Sequence, residues 1–123
     1  KSDKYAFVTI ENQNIKTTEG FGFIENAIID QHFIYRKRHN RLISLVLQNK
    51  DLVGVGIDET TSILVYPNKV FEVLGEYQVI IYDASEAENI NINEQGLFNA
   101  EDIKMHILTS GKKYDLINKK IVE

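Results

Sequence analysis

The sequence contains no cysteine, and no apolar run approaches the roughly 18 residues that a membrane-spanning helix needs. Without cysteine, disulfides and thiolate metal sites are excluded, and the redox compartment cannot be read from the chain. No secretory signal peptide is visible, and the first residue is Lys1 rather than methionine. We therefore expect the chain to begin inside a longer gene product, with any targeting segment upstream.

The bulk composition is that of one small domain. The 123 residues are 43% hydrophobic and 26% charged, which is ordinary for a soluble globular protein. The net charge of −4 argues against a general nucleic-acid binder, because phosphate binding needs a broad positive surface. We expect neither a nucleic-acid nor a membrane partner. A cytoplasmic location is the expectation, with secretion left open because the start of the gene product is not seen.

A strand, a helix and a second strand are predicted between residues 27 and 57. Ala27–Asp30 is a short apolar run closed by an acid, which is typical of a buried strand in a parallel pair. Residues 35–48 have the apolar spacing of a helix, and residues 52–57 form a second apolar run followed by Asp58 and Glu59. Both predicted strands end in acids at the sheet edge where ligands bind in open α/β folds.

The remaining elements are predicted to be short. Residues 5–10 are expected to form a strand, 11–20 a loop, and 20–23, with two glycines, a turn. An antiparallel meander, an exposed loop and a last hairpin should follow; their residues are 62–66, 70–74 and 78–82 for the meander, 85–99 for the loop, and 103–108 and 113–117 for the hairpin. Because parallel sheets need both faces covered, we expect upstream sequence to supply the other central strands and helices.

His32 is the first candidate for chemistry, since it follows the first buried strand and lies two residues after Asp30. A histidine there could act as a general base near neutral pH. For a lone histidine, a structural role is favoured by roughly two to one, because buried polar groups are usually just hydrogen-bonded. His39 and His106 are interpreted as structural or exposed. No histidine spacing fits a zinc site, so neither a metal nor a cofactor is expected.

A basic cluster occupies the first turns of the predicted helix: Arg36, Lys37, Arg38, His39 and Arg41. Cations there oppose the helix dipole, at a cost of about 0.3–1 kcal/mol each. The same helix end attracts anions, and arginine forks toward carboxylates. The cluster therefore indicates a pocket for an acidic ligand, and a solvated basic face is the alternative.

Glu59 and Asp58 are the candidate partners of a catalytic histidine. A carboxylate beside an imidazole fixes its tautomer and stabilises the imidazolium, but spacing alone does not choose between these two acids, and loop or capping roles are the alternative. No serine lies in a Gly-x-Ser-x-Gly elbow; the serines are Ser2, Ser44, Ser62, Ser85 and Ser110. A complete triad cannot be assembled from this chain.

Three motifs in order resemble one family. Gly-Phe-Gly-Phe-Ile-Glu-Asn-Ala-Ile-Ile-Asp-Gln-His-Phe at 20–33 closely resembles the carboxy-terminal half of cyanophycinases. Arg36, Arg38 and Arg41 fall where that family has its arginine series, and Gly-Ile-Asp-Glu-Thr-Thr at 56–61 resembles its Gly-Ile-Asp-Glu-x-Thr motif. The resemblance covers residues 21–83 well and the rest loosely. Ser62 stands where alanine is usual, which we interpret as neutral.

The resemblance implies a peptidase E-like serine peptidase with an α/β sandwich similar to class I glutamine amidotransferases. Residues 1–123 would supply the carboxy-terminal part of that single domain. His32 would be the general base of a Ser-His-Glu triad, and Glu59 the acid that orients it. The nucleophilic serine and the oxyanion hole would come from the amino-terminal part, which is a required partner. A homodimer is expected.

The resemblance also implies a substrate, multi-L-arginyl-poly-L-aspartate, cleaved to β-aspartyl-arginine. Asp30 and Gln31 match substrate-pocket positions, and Arg36, Arg38 and Arg41 match the arginines that line the pocket. Arginines would hold the carboxylates of the polymer, and Asp30 or a neighbouring acid its guanidinium groups. The alternatives are a peptidase E-like aspartyl dipeptidase and a non-catalytic peptide-binding homologue. We expect the chain expressed alone to be poorly folded and inactive.

Overall fold

A computed structural model describes residues 6–8, 16–18, 21–31 and 36–123. Within those ranges the chain forms thirteen strands and one helix. In chain order they are β1 (Ala6–Val8), β2 (Lys16–Thr18), β3 (Phe21–Ile24), β4 (Ala27–Asp30), α1 (Arg36–Gln48), β5 (Val53–Ile57), β6 (Thr61–Val65), β7 (Val70–Gly75), β8 (Val79–Asp83), β9 (Glu88–Ile92), β10 (Phe98–Glu101), β11 (Lys104–Leu108), β12 (Lys113–Asp115) and β13 (Lys120–Val122).

The predicted strand-helix-strand unit is confirmed. β4 and β5 pair in parallel, with Ala27 opposite Val53 and Asp30 opposite Gly56. Every residue of both strands is buried, as expected for a parallel pair covered on both faces. The helix begins at Arg36, within one residue of the predicted start, and Tyr35 lies outside the described residues.

Two sheets pack against each other. One has six strands in the order β11-β8-β5-β4-β3-β2, and the other has five in the order β1-β6-β7-β12-β13. Apolar side chains from both sheets form one buried cluster, which includes Val55 and Ile81 from the first sheet and Phe71 and Tyr114 from the second. The described chain is therefore an α/β fold that is mostly strands, with a mixed sheet containing one parallel pair.

Helix α1 covers the other face of the six-stranded sheet. Its apolar side chains Leu42, Val46 and Leu47 are buried in a second cluster with Ile28 of β4 and Tyr82 of β8. Apolar residues at this helical spacing form one stripe, which is why the sequence pattern located the helix. The connection from β4 to β5 therefore crosses one face while the second sheet covers the other.

The predicted turn at residues 20–23 is wrong, because Phe21–Ile24 is strand β3 and pairs with β4. Glycine permits a turn but does not require one, and the flanking aromatic and β-branched residues favour a strand. The chain reverses at Glu25 and Asn26, and Asn26 adopts a φ of 76°, which asparagine tolerates. Residues 16–18 of the predicted loop form β2, while 11–15 and 19–20 lie outside the described residues.

The predicted meander and last hairpin are also wrong in their pairing. β6 and β7 do form an antiparallel pair, but β8 joins the other sheet between β5 and β11. β11 pairs with β8, whereas β12 pairs with β7 and β13, so the two predicted hairpin strands lie in different sheets. The strands were located from local patterns, but nearest-neighbour pairing failed because β8 is apolar enough to occupy the middle of a sheet.

The predicted exposed loop at 85–99 contains a two-stranded hairpin of β9 and β10. The segment is mostly exposed, as expected. The two strands were not predicted because their residues are mostly polar and lack the apolar alternation from which strands are recognised. The side-chain amide of Asn99 donates to that of Asn91 across the pair at 2.9 Å. Ile90 and Phe98 pack against the cluster under α1 and anchor the hairpin.

Both parallel strands have neighbours on each side within the described chain. β3 and β5 flank β4, while β4 and β8 flank β5. The expectation that upstream sequence must supply their partners is therefore wrong for these two strands. β3, which precedes the unit in sequence, and β8, which follows it, fill these positions instead.

Candidate active site

The sheet edge where β4 and β5 end collects most of the candidate residues that the structure describes. Because the two strands are parallel and in register, Gln31 emerges at the same edge as Asp58 and Glu59. The Asp30 side chain is fully buried at the last position of β4. His32 and Phe33, which follow in sequence, lie outside the described residues. The structure thus brings the two acidic strand ends together, as predicted.

The amino end of α1 belongs to the same edge. The helix starts at Arg36, six residues after β4 ends, and returns the chain to the start of β5. Its first turn contains no acidic residue, so the positive end of the helix dipole and the basic sequence reinforce each other there. Arg41 is exposed; Arg36 and Arg38 lie in the helix, and their side chains are outside the description. An anion would be attracted to this end of α1.

Asp58 and Glu59 have different surroundings, although spacing could not separate them. The Asp58 amide donates to the Gln78 carbonyl at 3.2 Å, and its carboxylate accepts a long 3.4 Å hydrogen bond from the Gln78 amide. Asp58 therefore ties the end of β5 to the start of β8. Glu59 is exposed, and in the part of the chain that is described its hydrogen bonds involve only its carbonyl. The Glu59 carboxylate is thus the one left available to a further group.

Glu59 lies in one of two short connections that cross between the sheets side by side. Residues 58–60 lead from β5 to β6, and residues 76–78 lead back from β7 to β8. The connections are joined by the Asp58 and Gln78 backbones and by the Glu76 amide, which donates to the Thr60 carbonyl at 3.1 Å. Glu59 is consequently carried by a turn that is fixed from both sheets.

Thr61 and Gly75 support this turn. Neither residue was among the candidate site residues predicted from the sequence. Thr61 is buried, and its hydroxyl contacts both connections. Gly75 has a φ of +112° and lies directly against the Thr60 carbonyl. The sequence predicts a turn at Gly75 and places Thr61 in the Gly-Ile-Asp-Glu-x-Thr pattern, but neither signal indicates what the Thr61 hydroxyl does or which backbone Gly75 approaches.

His106 lies away from this edge, in β11, and is a structural residue as expected. Its ring packs at a tilt against Tyr114, with 5.7 Å between ring centroids. Its Nε2 atom and the Tyr114 hydroxyl are buried and accept or donate no hydrogen bond among the described residues. His39 belongs to α1, and its side chain lies outside the description.

The described residues contain no group of three or more histidine or acidic side chains arranged to hold a metal ion. Over the same part of the chain, no helix has the length and apolar character needed to cross a membrane. What the edge offers chemically is carboxylates, an amide side chain and the positive end of a helix.

Comparison with known proteins shows similarity to several cyanophycinases, although no protein-family model matches the chain. The cyanophycinase of Trichormus variabilis is 34% identical over 106 residues, which cover 84% of this chain and 36% of that protein. The cyanophycinase of Synechococcus elongatus is 33% identical over 102 residues, which cover 79% of this chain and 31% of that protein. The cyanophycinase of Geminocystis herdmanii is 34% identical over 102 residues, which cover 78% of this chain and 36% of that protein. The chain thus spans about a third of the length of these relatives.

Proposed function

This chain is a homologue of about a third of the cyanophycinase sequence, and from that premise we propose that it forms part of a serine peptidase that degrades cyanophycin. The observation that supports the proposal is the parallel register of β4 and β5, which brings Gln31 and Glu59 to one sheet edge beside the amino end of α1. The sequence resemblance assigns the catalytic and substrate-binding roles to residues at that edge.

The proposed chemistry is acyl transfer through a Ser-His-Glu triad. His32 removes the proton from the serine hydroxyl as it attacks the backbone carbonyl, and then donates that proton to the leaving amine, which leaves an acyl-serine. His32 next takes a proton from a water molecule that attacks the acyl-serine, and the serine hydroxyl is regenerated as the acid product leaves. Glu59 accepts a hydrogen bond from the other imidazole nitrogen and stabilises the imidazolium. The exposed Glu59 carboxylate supports this choice over Asp58, whose carboxylate is hydrogen-bonded to the Gln78 amide.

The nucleophile in this proposal comes from sequence outside the chain. Residues 1–123 would complete a single cyanophycinase-like domain with a glutamine amidotransferase-like sandwich, and the other part would contribute the serine elbow and the oxyanion hole. No serine of this chain lies in such an elbow. A complete gene product without an elbow serine would instead fit a peptide-binding homologue that has lost the chemistry.

Substrate recognition is proposed to rest on charge. The polymer has free carboxylates, which Arg36, Arg38 and Arg41 would hold at the amino end of α1. Its guanidinium groups would meet an acid neighbouring Asp30, because the Asp30 side chain is itself fully buried, and Gln31 would hydrogen-bond the backbone beside the scissile bond. The product would be the β-aspartyl-arginine dipeptide. A cleft that recognises both charges separates this substrate from the simple aspartyl dipeptides that a peptidase E-like enzyme would take.

The test is hydrolysis of cyanophycin by the complete gene product and by its His32→Ala variant. Loss of the general base should lower kcat by at least 1,000-fold, on the order of the losses seen when triad members are removed. The release of β-aspartyl-arginine is followed by chromatography, with a simple aspartyl dipeptide as the competing substrate. A His32→Ala protein with full activity would refute the triad, and preference for the dipeptide would favour the peptidase E-like alternative.

The arginine assignment has its own test, in which Lys37 serves as the matched control. Lys37 lies in the same first turn of α1 but outside the arginine series of the family. Arg38→Ala should raise KM by about 10-fold or more while leaving kcat within a few-fold, because one charge-assisted pair is worth about 1.5–3 kcal/mol. Lys37→Ala should leave KM near the original value. An equal rise in KM in both variants would mean that the basic cluster acts as a general basic surface and not as a specific substrate pocket.

A further inference from the structure

We propose that Thr61 is a positioning residue for Glu59, acting through a hydroxyl that joins the two connections between the sheets. The inference rests on the proposed catalytic role of Glu59. It adds a residue that is not itself expected to contact the substrate. It also assigns a role to Gly75, the glycine at which β7 leaves its sheet.

The Thr61 hydroxyl makes two hydrogen bonds of opposite sense. It donates to the Glu59 carbonyl at 3.1 Å and accepts from the Tyr77 amide at 3.0 Å. Thr61 is only 7% exposed, so water cannot readily replace either partner. Losing the hydroxyl would leave the Tyr77 amide without this acceptor and the turn without this link.

The turn needs such support because its backbone is strained. Thr60 has a φ of 54°, in the left-handed region that β-branched residues rarely adopt. Residues held there persist only where the surroundings over-determine their conformation. The Thr60 hydroxyl also lies 2.6 Å from the Glu59 carbonyl and 3.3 Å from the Glu76 carboxylate, but Thr60 is exposed, so water competes for these contacts. Thr61 supplies a buried side-chain link between the turn and the other connection, in addition to the backbone hydrogen bonds that join them.

Gly75 closes the arrangement from the side of β7. A Cβ atom at this position would lie 2.3 Å from the Thr60 carbonyl oxygen and 2.8 Å from the Thr61 Cα atom. Its φ of +112° also excludes other residues. The close approach lets the Glu76 amide reach the Thr60 carbonyl at 3.1 Å. Thus the backbone on both sides of Glu59 is held, while its exposed carboxylate has no other restraint among the described residues.

The consequence for catalysis is geometric. The Glu59 carboxylate can orient His32 only if the turn places it within hydrogen-bonding distance, and displacements near 1 Å can cost about 100-fold in rate. Because the side chain has no hydrogen bond of its own in the described part, the turn backbone fixes the position and direction of its Cα–Cβ bond, and thus the region that the carboxylate can reach. Loosening the turn should therefore lower kcat and leave substrate binding at α1 largely intact.

The experiment compares Thr61→Val, Thr61→Ser and Ser62→Ala in the complete gene product. Valine keeps the shape of threonine and removes the hydroxyl, whereas serine restores the hydroxyl. Thr61→Val should lower kcat by about 10- to 100-fold with KM within about three-fold, and Thr61→Ser should recover most of the loss. Ser62→Ala is the matched control, since Ser62 is the next residue and has no part in this network, and it should retain the original kcat.

Two further readouts separate positioning from general destabilisation. A loosened carboxylate supports the imidazolium less, so the acid limb of the kcat/KM profile of Thr61→Val should move to lower pH. Hydrogen exchange at the Tyr77 amide should speed up in Thr61→Val and not in Thr61→Ser. If Thr61→Val does not fold, as judged by circular dichroism, Thr61→Ala removes the same hydroxyl without placing a methyl group against the Tyr77 amide, and it should lower kcat likewise.

The outcomes distinguish this inference from the proposed function. An original protein that does not cleave cyanophycin contradicts the proposed function, and the positioning role falls with it. An active original protein whose Thr61→Val variant keeps its kcat and pH profile contradicts the positioning role alone. The same holds if Thr61→Ser is as impaired as Thr61→Val, because the hydroxyl would then not be the relevant group.

Discussion

At the scale of single residues, Tyr114 is a buried polar group whose hydroxyl has no hydrogen-bond partner in the part of the chain that the structure describes. It is fully buried between the sheets, against Phe71 and His106, and its hydroxyl makes no hydrogen bond among the described residues. Burial raises the pKa of the Tyr114 hydroxyl above its ordinary range, and the negative charges of Asp83 and Asp115 raise it further. The cost of burying this hydroxyl is not recovered, which makes Tyr114 a source of two measurable effects.

Tyr114→Phe should therefore raise the free energy of unfolding by about 1 kcal/mol, since it removes an unsatisfied buried hydroxyl and keeps the ring. The pKa of Tyr114 is higher in the folded protein than in the unfolded chain, where tyrosine titrates near pH 10. The free energy of unfolding linked to the neutral Tyr114 hydroxyl is therefore fully present below pH 10 and is lost as the pH rises further. The variant should lose less stability than the original protein between pH 10 and 11, as measured by urea unfolding.

The exposed Tyr77 provides the control for that measurement. Tyr77→Phe changes the same atoms at a side chain that is 55% exposed, and it should leave the loss of stability at high pH in place. Burial also raises the pKa of Tyr82, so part of the alkaline loss should remain in Tyr114→Phe. Identical alkaline behaviour of all three proteins would contradict the assignment to Tyr114.

How much of the site the sequence revealed depends on the kind of residue. Asp30 and Glu59 could be found because an acid after a buried apolar run is locally unusual, and the structure places both strand ends at one edge. Thr61 and Gly75 could not, because their roles depend on contacts with Tyr77 and Thr60 across two connections. The roles of His32 and of the arginines stay predictions.

At the scale of elements, the turn from β12 to β13 is organised by one carboxylate. Asp115 accepts hydrogen bonds from the Ile117 and Asn118 amides at 2.9 and 3.0 Å, and from the Asn118 side chain at 2.8 Å. The amide of Asn118 is the main cause of the lowered pKa of Asp115, with the Asn118 side chain, Ile117 and Lys120 acting in the same direction and burial opposing them. The turn should therefore be sensitive to acid.

Asp115→Asn should lower the free energy of unfolding at pH 7 by a few tenths to about 1 kcal/mol, because the carboxylate is solvent-screened. The pKa of Asp115 is lower in the folded protein than in the unfolded chain, where it is near 3.8. The charged carboxylate therefore contributes its full stabilisation above the unfolded pKa, and this stabilisation is lost as the pH falls through the folded pKa. The two proteins should converge in stability near pH 2 in urea titrations. A difference that is the same at pH 2 and pH 7 would mean that the charge is not responsible.

The contact of α1 with β5 depends on Gly54. A Cβ atom there would lie 2.6 Å from Val46 Cγ2 and 2.9 Å from Leu42 Cγ, so the helix packs where only glycine fits. Gly54→Ala should cost about 1–3 kcal/mol of stability through overpacking. In the double variant with Val46→Ala the loss should be smaller than the sum of the single losses, as measured by a double-mutant cycle in urea. Additive losses would show that the helix shifts away without steric coupling.

Elements were predictable where their signal is local. β4, α1 and β5 each carry a pattern that one stretch of sequence expresses completely, and their bounds came out within about a residue. The pairing of β8 with β5 and of β12 with β7 joins strands that are distant in sequence, and no local pattern encodes it. The strands β9 and β10 were missed because their exposure removes the apolar alternation.

At the scale of the whole molecule, β11 is an unpaired edge of the six-stranded sheet within the described chain. Its outward side chains Met105 and Ile107 are 53% and 51% exposed. Such an apolar edge tends to pair with another strand. If β11 paired antiparallel with β11 of a second copy, with the two-fold axis at His106, Lys104 of each copy would lie opposite Leu108 of the other. The two Lys104 side chains would then not be placed against each other.

We therefore expect concentration-dependent self-association, which Ile107→Lys should weaken by about 10-fold or more in sedimentation velocity, because two like charges would be placed near the two-fold axis. Monomer stability should change by less than about 0.5 kcal/mol, as for other surface changes. Ile117→Lys is the matched control, since Ile117 is 53% exposed but lies outside β11. Equal weakening by both variants would place the contact elsewhere, and a monomeric original protein would contradict the homodimer expectation.

The passage of the chain between its two sheets has a consequence for how fast the protein reaches its native state. From β5 onward the chain changes sheet after β5, after β7 and after β11, and residues as distant as Phe71 and Tyr114 must meet. Neither sheet can be completed before the other has begun, so loop-closure entropy is spent before much of the core is formed. Refolding should occur over milliseconds to seconds rather than microseconds, with both sheets appearing in a single kinetic phase.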